Sequence, residues 1–204
     1  MTETLPAPGR AAFAFVLVTV LLDMLALGVM IPVLPKLIVE FMGGDVAGAA
    51  TIAGLFGFSW AAMQFVFSPV LGALSDRFGR RPVIILSNLG MGLDYVMMAL
   101  APSLWWLFAG RLLSGITAAT FATAGAYIAD VTPAEKRAAK FGMLGAAFGF
   151  GFIVGPAMGG LLYGSFLGPT SPFWAAAIGM TLALFLAWSL RDLVVAQSTS
   201  TQAS

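Results

Sequence analysis

Two apolar runs separated by a cluster of charge constrain this chain more than any other feature. Residues 51–71 carry no charged side chain and residues 83–100 carry only Asp94, whereas Gly72–Pro82 between them holds Asp76, Arg77, Arg80 and Arg81. Each run is long enough to cross a bilayer as a helix, which takes about 20 residues at 1.5 Å of rise each. The charged stretch is therefore expected to be a tight loop at one membrane face. Arginines resist translocation and are drawn to the inner leaflet, so that face is expected to be cytoplasmic. Gly72 and Gly79 are expected to permit close packing and positive φ, and Pro82 suits the first turn of the next helix.

The same alternation runs through the whole chain. Of its residues 60% are hydrophobic and 9% charged. An ordinary soluble domain carries roughly a quarter charged residues, so that class is excluded. The absence of cysteine removes disulfide and thiolate chemistry, and the absence of histidine removes the usual proton shuttle at neutral pH. Any proton coupling must then run through carboxylates. The apolar run after Arg10 continues for about a full span, without the short core and cleavage site of a signal peptide. Residues 1–10 read as a polar lead-in, 11–190 as a six-helix bundle and 191–204 as a disordered polar tail. The spans fall near Ala11–Pro35, Thr51–Leu74, Pro82–Leu100, Leu104–Ile128, Phe141–Tyr163 and Phe173–Leu190, with a loop over 36–50. Arg10, Arg77, Arg80, Arg81, Lys136, Arg137, Lys140 and Arg191 fall on one face, and Lys36 alone on the other. Both termini are therefore expected in the cytoplasm.

Asp23, Asp94 and Arg111 are the informative residues, because a charge in hydrocarbon is costly and marks a functional site by default. Asp94 lies six residues before Leu100, roughly 9 Å below the outer face at 1.5 Å per residue. Arg111 lies at similar depth beyond the short turn at Pro102-Ser103, so the two can neutralise each other. That pairing serves either packing or transport. Asp23 lies nearer the midplane with no evident partner, and a carboxyl shielded from water can bind and release a proton near neutral pH. Gln64 and Asn88 read as hydrogen bonds between helices, with Gln64 also able to face a cavity. In the fifth span Gly151, Gly155 and Gly159 recur every fourth residue, which gives one smooth face for close helix approach. Pro156 removes a backbone donor there and invites a kink, and Gly160 completes the Gly-Pro-x-x-Gly-Gly run.

Several of these motifs stand in a recognisable order: Asp23 with Ile31-Pro-Val-Leu-Pro35, Ser75-Asp-Arg-Phe-Gly-Arg-Arg-Pro82, Leu93-Asp-Tyr95, Gly110-Arg-Leu-Leu-Ser-Gly-Ile-Thr117, Ala126-Tyr-Ile-Ala-Asp130 and the Gly155-Pro156 run. Together they resemble the N-terminal half of the drug–proton antiporters of the major facilitator superfamily, above all the tetracycline efflux transporters. The resemblance implies an all-α membrane protein, one six-helix half with a three-plus-three inverted repeat. A carboxylate in span 1 and an arginine in span 4 fit that repeat. It also implies export of a drug–divalent cation complex in exchange for protons across a bacterial-type inner membrane. Asp23 and Arg111 would then line the path, while Asp76, Arg80 and Asp130 would form a network that latches the outward-open state. Arg77, Arg81, Gly72 and Gly79 belong to the same gating loop. The chain departs from the family pattern at Thr117-Ala-Ala-Thr120 and at Gly179.

No cofactor is expected: protons are the coupling ion, and a divalent cation enters only with the substrate. The expected partners are a small-molecule drug, the lipid bilayer and either a second copy or a second six-helix half meeting the Gly151/Gly155/Gly159 face. Nucleic acid is not among them. Two other readings are a non-transporting half, either a truncated remnant or a regulatory half that pairs with a full transporter, and a membrane enzyme. The enzyme is disfavoured by the lack of a nucleophile–base pair, metal cluster or phosphate loop.

Overall fold

A computed structural model of the chain describes residues 10–165 and 167–185, and all regular structure among them is helical. The helices are α1 (Arg10–Phe41), α2 (Val46–Phe78), α3 (Arg80–Ala99), α4 (Leu104–Thr117), α5 (Thr120–Val131), α6 (Ala134–Tyr163) and the shorter α7 (Ser171–Phe185). With α4 and α5 taken as one interrupted span, five segments are long and apolar enough to cross a membrane, and α7 is a shorter apolar helix. Most of the polar lead-in, the end of the sixth expected span and the polar tail lie outside the described residues.

The structure differs from the sequence reading most at three places, besides an α6 that starts at Ala134 and not near Phe141. Helix α1 does not stop near Pro35 but runs through Pro32 and Pro35 to Phe41. An inserted proline frees only one carbonyl, and a long apolar helix packed among neighbours tolerates that. The expected loop over 36–50 shrinks to a tight turn in which Gly43 (φ 66°) and Gly44 (φ 96°) reverse the chain. Asp45 then caps α2 by accepting from the Gly48 N–H at 3.0 Å. The charged stretch is likewise no loop. Asp76 and Arg77 ride the last turn of α2, Arg80 and Arg81 open α3, and Gly79 alone joins them at φ 93°. Long charged side chains at a helix end reach water without unwinding the backbone. Gly72 lies inside α2, and a Cβ there would have no neighbour within 4 Å, so its expected packing role is not met among the described residues.

The third difference is the break between α4 and α5. Ala118 adopts φ −72° and ψ 74°, and the Ala119 N–H turns back to the Thr117 carbonyl at 2.8 Å. Gln64 Nε2 donates to the freed Ala118 carbonyl at 3.3 Å. A span that opens its backbone among apolar neighbours needs such a donor.

The glycine face of the fifth span packs inside the chain. Gly151 and Gly155 on α6 meet Met24, Leu25 and Gly28 on α1 so closely that a Cβ on Gly155 would lie 2.6 Å from the Gly28 Cα. Gly159 abuts the Val29 backbone of the same helix, whereas a Cβ on Gly160 would meet open space. The expected seam with a second bundle at Gly151, Gly155 and Gly159 is therefore corrected: α1 already fills that groove. Pro156 stays within a continuous α6, and its Cδ would sit 3.1 Å from a Cβ on Gly28.

Two large buried clusters hold the bundle, with a small third one of Leu71, Val83 and Ala119. One joins Val33, Leu37 and Ile38 to Tyr95, Met98, Leu107, Phe173 and Met180; the other, towards the arginine-rich end, joins Val16, Val20, Ile84, Ile128 and Leu144. In lipid such packing is driven by close contact and not by escape from water. Helix α2 is the least buried span, at 11% against 44% for α1.

Candidate functional site

The site is a cavity of about 620 Å³ reached by side chains from α1 to α6. Among the described residues, Asp23 and Arg111 are the only charged ones in its lining, joined by Gln64, Tyr95, Ser114 and Thr120. Asp23, Asp94 and Arg111 are 1%, 0% and 3% exposed, so all three are withdrawn from solvent.

Arg111 and Asp94 form a close ion pair across the turn between α3 and α4. The turn is short, and Gly110 beside Arg111 leaves the Asp94 carboxylate room against α4. The equal depths read from the sequence thus become a contact. In a region of low dielectric such a pair cancels most of its own field. Asp23 differs: neither of its carboxylate oxygens has a hydrogen-bond partner among the described residues. The nearby Thr120 hydroxyl donates to Asn88 Oδ1 at 3.4 Å, which joins α5 to α3 as the sequence reading expected of Asn88. Gln64 does both things foreseen for it, since it lines the cavity and bridges to Ala118. The lining therefore holds one arginine neutralised by Asp94, which itself lies outside the lining, and one carboxylate with no counter-charge among the described residues.

At the arginine-rich end, Arg80 collects the charges that the sequence grouped. Its guanidinium lies 2.6 Å from Asp76 and 2.9 Å from Asp130, and it donates to the Ser75 hydroxyl at 3.2 Å. This fork ties the end of α2 and the start of α3 to the end of α5. Arg77 instead stacks over the neighbouring Phe78 ring, 5.3 Å from its centroid. At the opposite end Glu40 accepts from the Tyr163 hydroxyl, and Lys36 lies 5.0 Å from the centre of the same ring, which fastens α1 to α6.

Sequence reasoning missed Tyr95, Ser114 and Thr120 in the lining, and it missed the aromatic side chains Trp60, Phe121, Phe148 and Phe152. A signal was present for two of these. Phe148 and Phe152 are four residues apart and so share a face of α6, interleaved with the glycines that drew attention to that helix.

Comparison with known proteins agrees with this architecture. Residues 16–203 match the Major Facilitator Superfamily. The chain is 49% identical over 175 residues to the class C tetracycline resistance protein of Escherichia coli, a match covering 86% of this chain and 43% of that protein. It is 48% identical over 165 residues to the class B protein of the same organism, covering 79% of this chain and 39% of the relative. The chain thus spans about two-fifths of the length of these relatives. Among solved structures, a human organic anion transporter superposes with a TM-score of 0.76 at 25% identity, over 89% of this chain and 47% of that one. An all-helical bundle with a family match along nearly its whole length leads to one conclusion: the chain belongs to the Major Facilitator Superfamily.

Proposed function

We propose that this chain is one six-helix half of a proton-coupled drug exporter of the tetracycline type, in which Asp23 carries the exchangeable proton. The observation that carries the reading is the unpaired Asp23 carboxyl in the wall of a 620 Å³ cavity. A buried carboxyl without a counter-charge is most easily kept neutral by a proton, and an incoming cationic group can take that proton's place. Competition of this kind couples export of the drug–divalent cation complex to proton entry. The relatives named for tetracycline resistance support that substrate class, and the Asp94–Arg111 pair supports a neutral remainder of the site.

Transport needs a second wall, which is a second six-helix half or a second copy of this chain. Exposed Phe58 and Phe65 on α2, at 72% and 83%, support that helix as the meeting face in place of the glycine run. The charge bias of the loops favours partners of one orientation, with both termini in the cytoplasm of a bacterial-type inner membrane. The fork at Asp76, Arg80 and Asp130 serves as the latch on the cytoplasmic side, closed when the cavity faces outward. The test is drug uptake into inverted vesicles containing the chain, alone and with a complementary half, followed by a pH-sensitive dye. Addition of a tetracycline–magnesium complex should release protons from acidified vesicles in at least one arm; no drug-linked proton movement in either overturns the proposal. Cysteine pairs at Phe58 or Phe65 in this cysteine-free background report whether α2 is the seam.

A further inference from the structure

We infer that Phe148 and Phe152, with Phe121, form a wall of the cavity that grips the flat face of a fused-ring substrate. The inference deepens the exporter reading and rests on it. Phe148 and Phe152 lie one turn apart on α6 with ring centroids 4.6 Å apart and planes within 13°. Phe121, in the first turn of α5 after the break at Ala118-Ala119, meets Phe148 edge-on, at 5.7 Å and 67°. All three line the same cavity as Asp23.

Rings that served only to tie α5 to α6 would be consumed by that contact. These are not: Phe121, Phe148 and Phe152 remain 45%, 38% and 38% exposed, although buried glycines of α6 pack tightly on α1 alongside them. Their positions are also mutually fixed, Phe148 and Phe152 by the helix and Phe121 by edge contact. A pre-set aromatic surface loses little freedom when a ligand docks, and a planar ring system can continue the stack at the usual offset spacing. The cavity size falls in the range that suits a drug-sized molecule. Polar groups of the substrate then face Asp23, Gln64 and Ser114, so the phenylalanines select for ring shape and Asp23 answers to charge.

The test uses the full chain in lipid nanodiscs and follows quenching of tryptophan fluorescence, since Trp60 shares the cavity. Tetracycline–magnesium and ethidium serve as flat-ring probes, with tetrabutylammonium as a cation that has no ring. In Phe148→Leu/Phe152→Leu the affinity for both ring probes should fall about tenfold while tetrabutylammonium is unchanged, and Phe148→Tyr/Phe152→Tyr should stay close to wild type. The melting midpoint reports whether the leucine variant has lost only the ring faces. If that variant does not insert, Phe121→Leu on the other helix tests the same wall and should lower ring binding about threefold. Ring-probe affinities unchanged by leucine overturn the wall and leave the exporter reading standing. A wild-type chain that binds neither ring probe, alone or with a complementary half, overturns both.

Discussion

Asp23 and Asp94 are the same residue type, both withdrawn from solvent, on helices that border one cavity, yet their surroundings differ in kind. Asp94 sits against the Arg111 guanidinium, and its charge is cancelled where it stands. Asp23 has no cation paired with it among the described residues, and only the Thr120 hydroxyl, which donates to Asn88, lies near it. The first arrangement is complete without a ligand, so it fixes α3 against α4. On the exporter reading proposed above, the second is completed by a proton or an incoming cationic group. On that reading the partner, and not burial alone, separates a structural carboxylate from a functional one.

The sharpest way to break this comparison is to neutralise each carboxylate in turn. Asp23→Asn removes a titratable carboxyl that pairs with no cation among the described residues, so the bundle should insert and melt as before. An amide cannot titrate, so drug-driven proton movement in vesicles should disappear completely. If the variant still moves protons on drug addition, Asp23 is not the exchanging group.

Asp94 should behave in the opposite sense. Asp94→Asn strands the Arg111 charge in a low-dielectric interior, and Arg111→Gln strands Asp94; each should cost about 3–5 kcal/mol of stability. The double variant Asp94→Asn/Arg111→Gln strands neither and should cost less than either single change. A double-mutant cycle read by thermal or denaturant unfolding in micelles decides this, and strictly additive losses would show that the contact carries no coupling.

How much of this was legible in the sequence follows the range of the interaction concerned. The Asp94–Arg111 contact could be foreseen because the two residues flank one short turn, where depth fixes proximity. The same holds for the Asp76–Arg80 part of the fork, four residues apart across the single-residue link at Gly79. The glycine face of α6 was legible as a face, but residue spacing does not say which helix fills it. The answer, α1, is the helix most distant along the chain. The break at Ala118-Ala119 showed no stop signal, because alanine is the strongest helix former, although the departure from the family pattern at Thr117-Ala-Ala-Thr120 falls on it. What makes the break tolerable is Gln64, 54 residues away, and no local pattern announces such a partner. The charged stretch at Gly72–Pro82 misled in a different way, since charge at a membrane face looks the same in a loop and on helix ends.

Gln64 supplies the smallest test and the one that extends the comparison to an uncharged group. It borders the cavity as Asp23 does, yet it has a partner as Asp94 does, the Ala118 carbonyl at 3.3 Å. If having a partner is what marks a structural role, Gln64→Leu should act on the break and not on coupling. The lost bond should cost about 0.6 kcal/mol, the average for hydrogen bonds between membrane helices, because water in the cavity or a shift in the turn can take over part of it. Proton movement per drug molecule should be unchanged, while amide hydrogen exchange should quicken at Ala119–Phe121, where the helix restarts. The conservative Gln64→Asn shortens the side chain by one methylene and should quicken exchange nearly as much as leucine, since its amide no longer reaches the carbonyl. A change in proton stoichiometry with exchange left unaltered would move Gln64 to the side of Asp23, and a satisfied hydrogen bond would no longer distinguish the two classes of buried polar residue in this cavity.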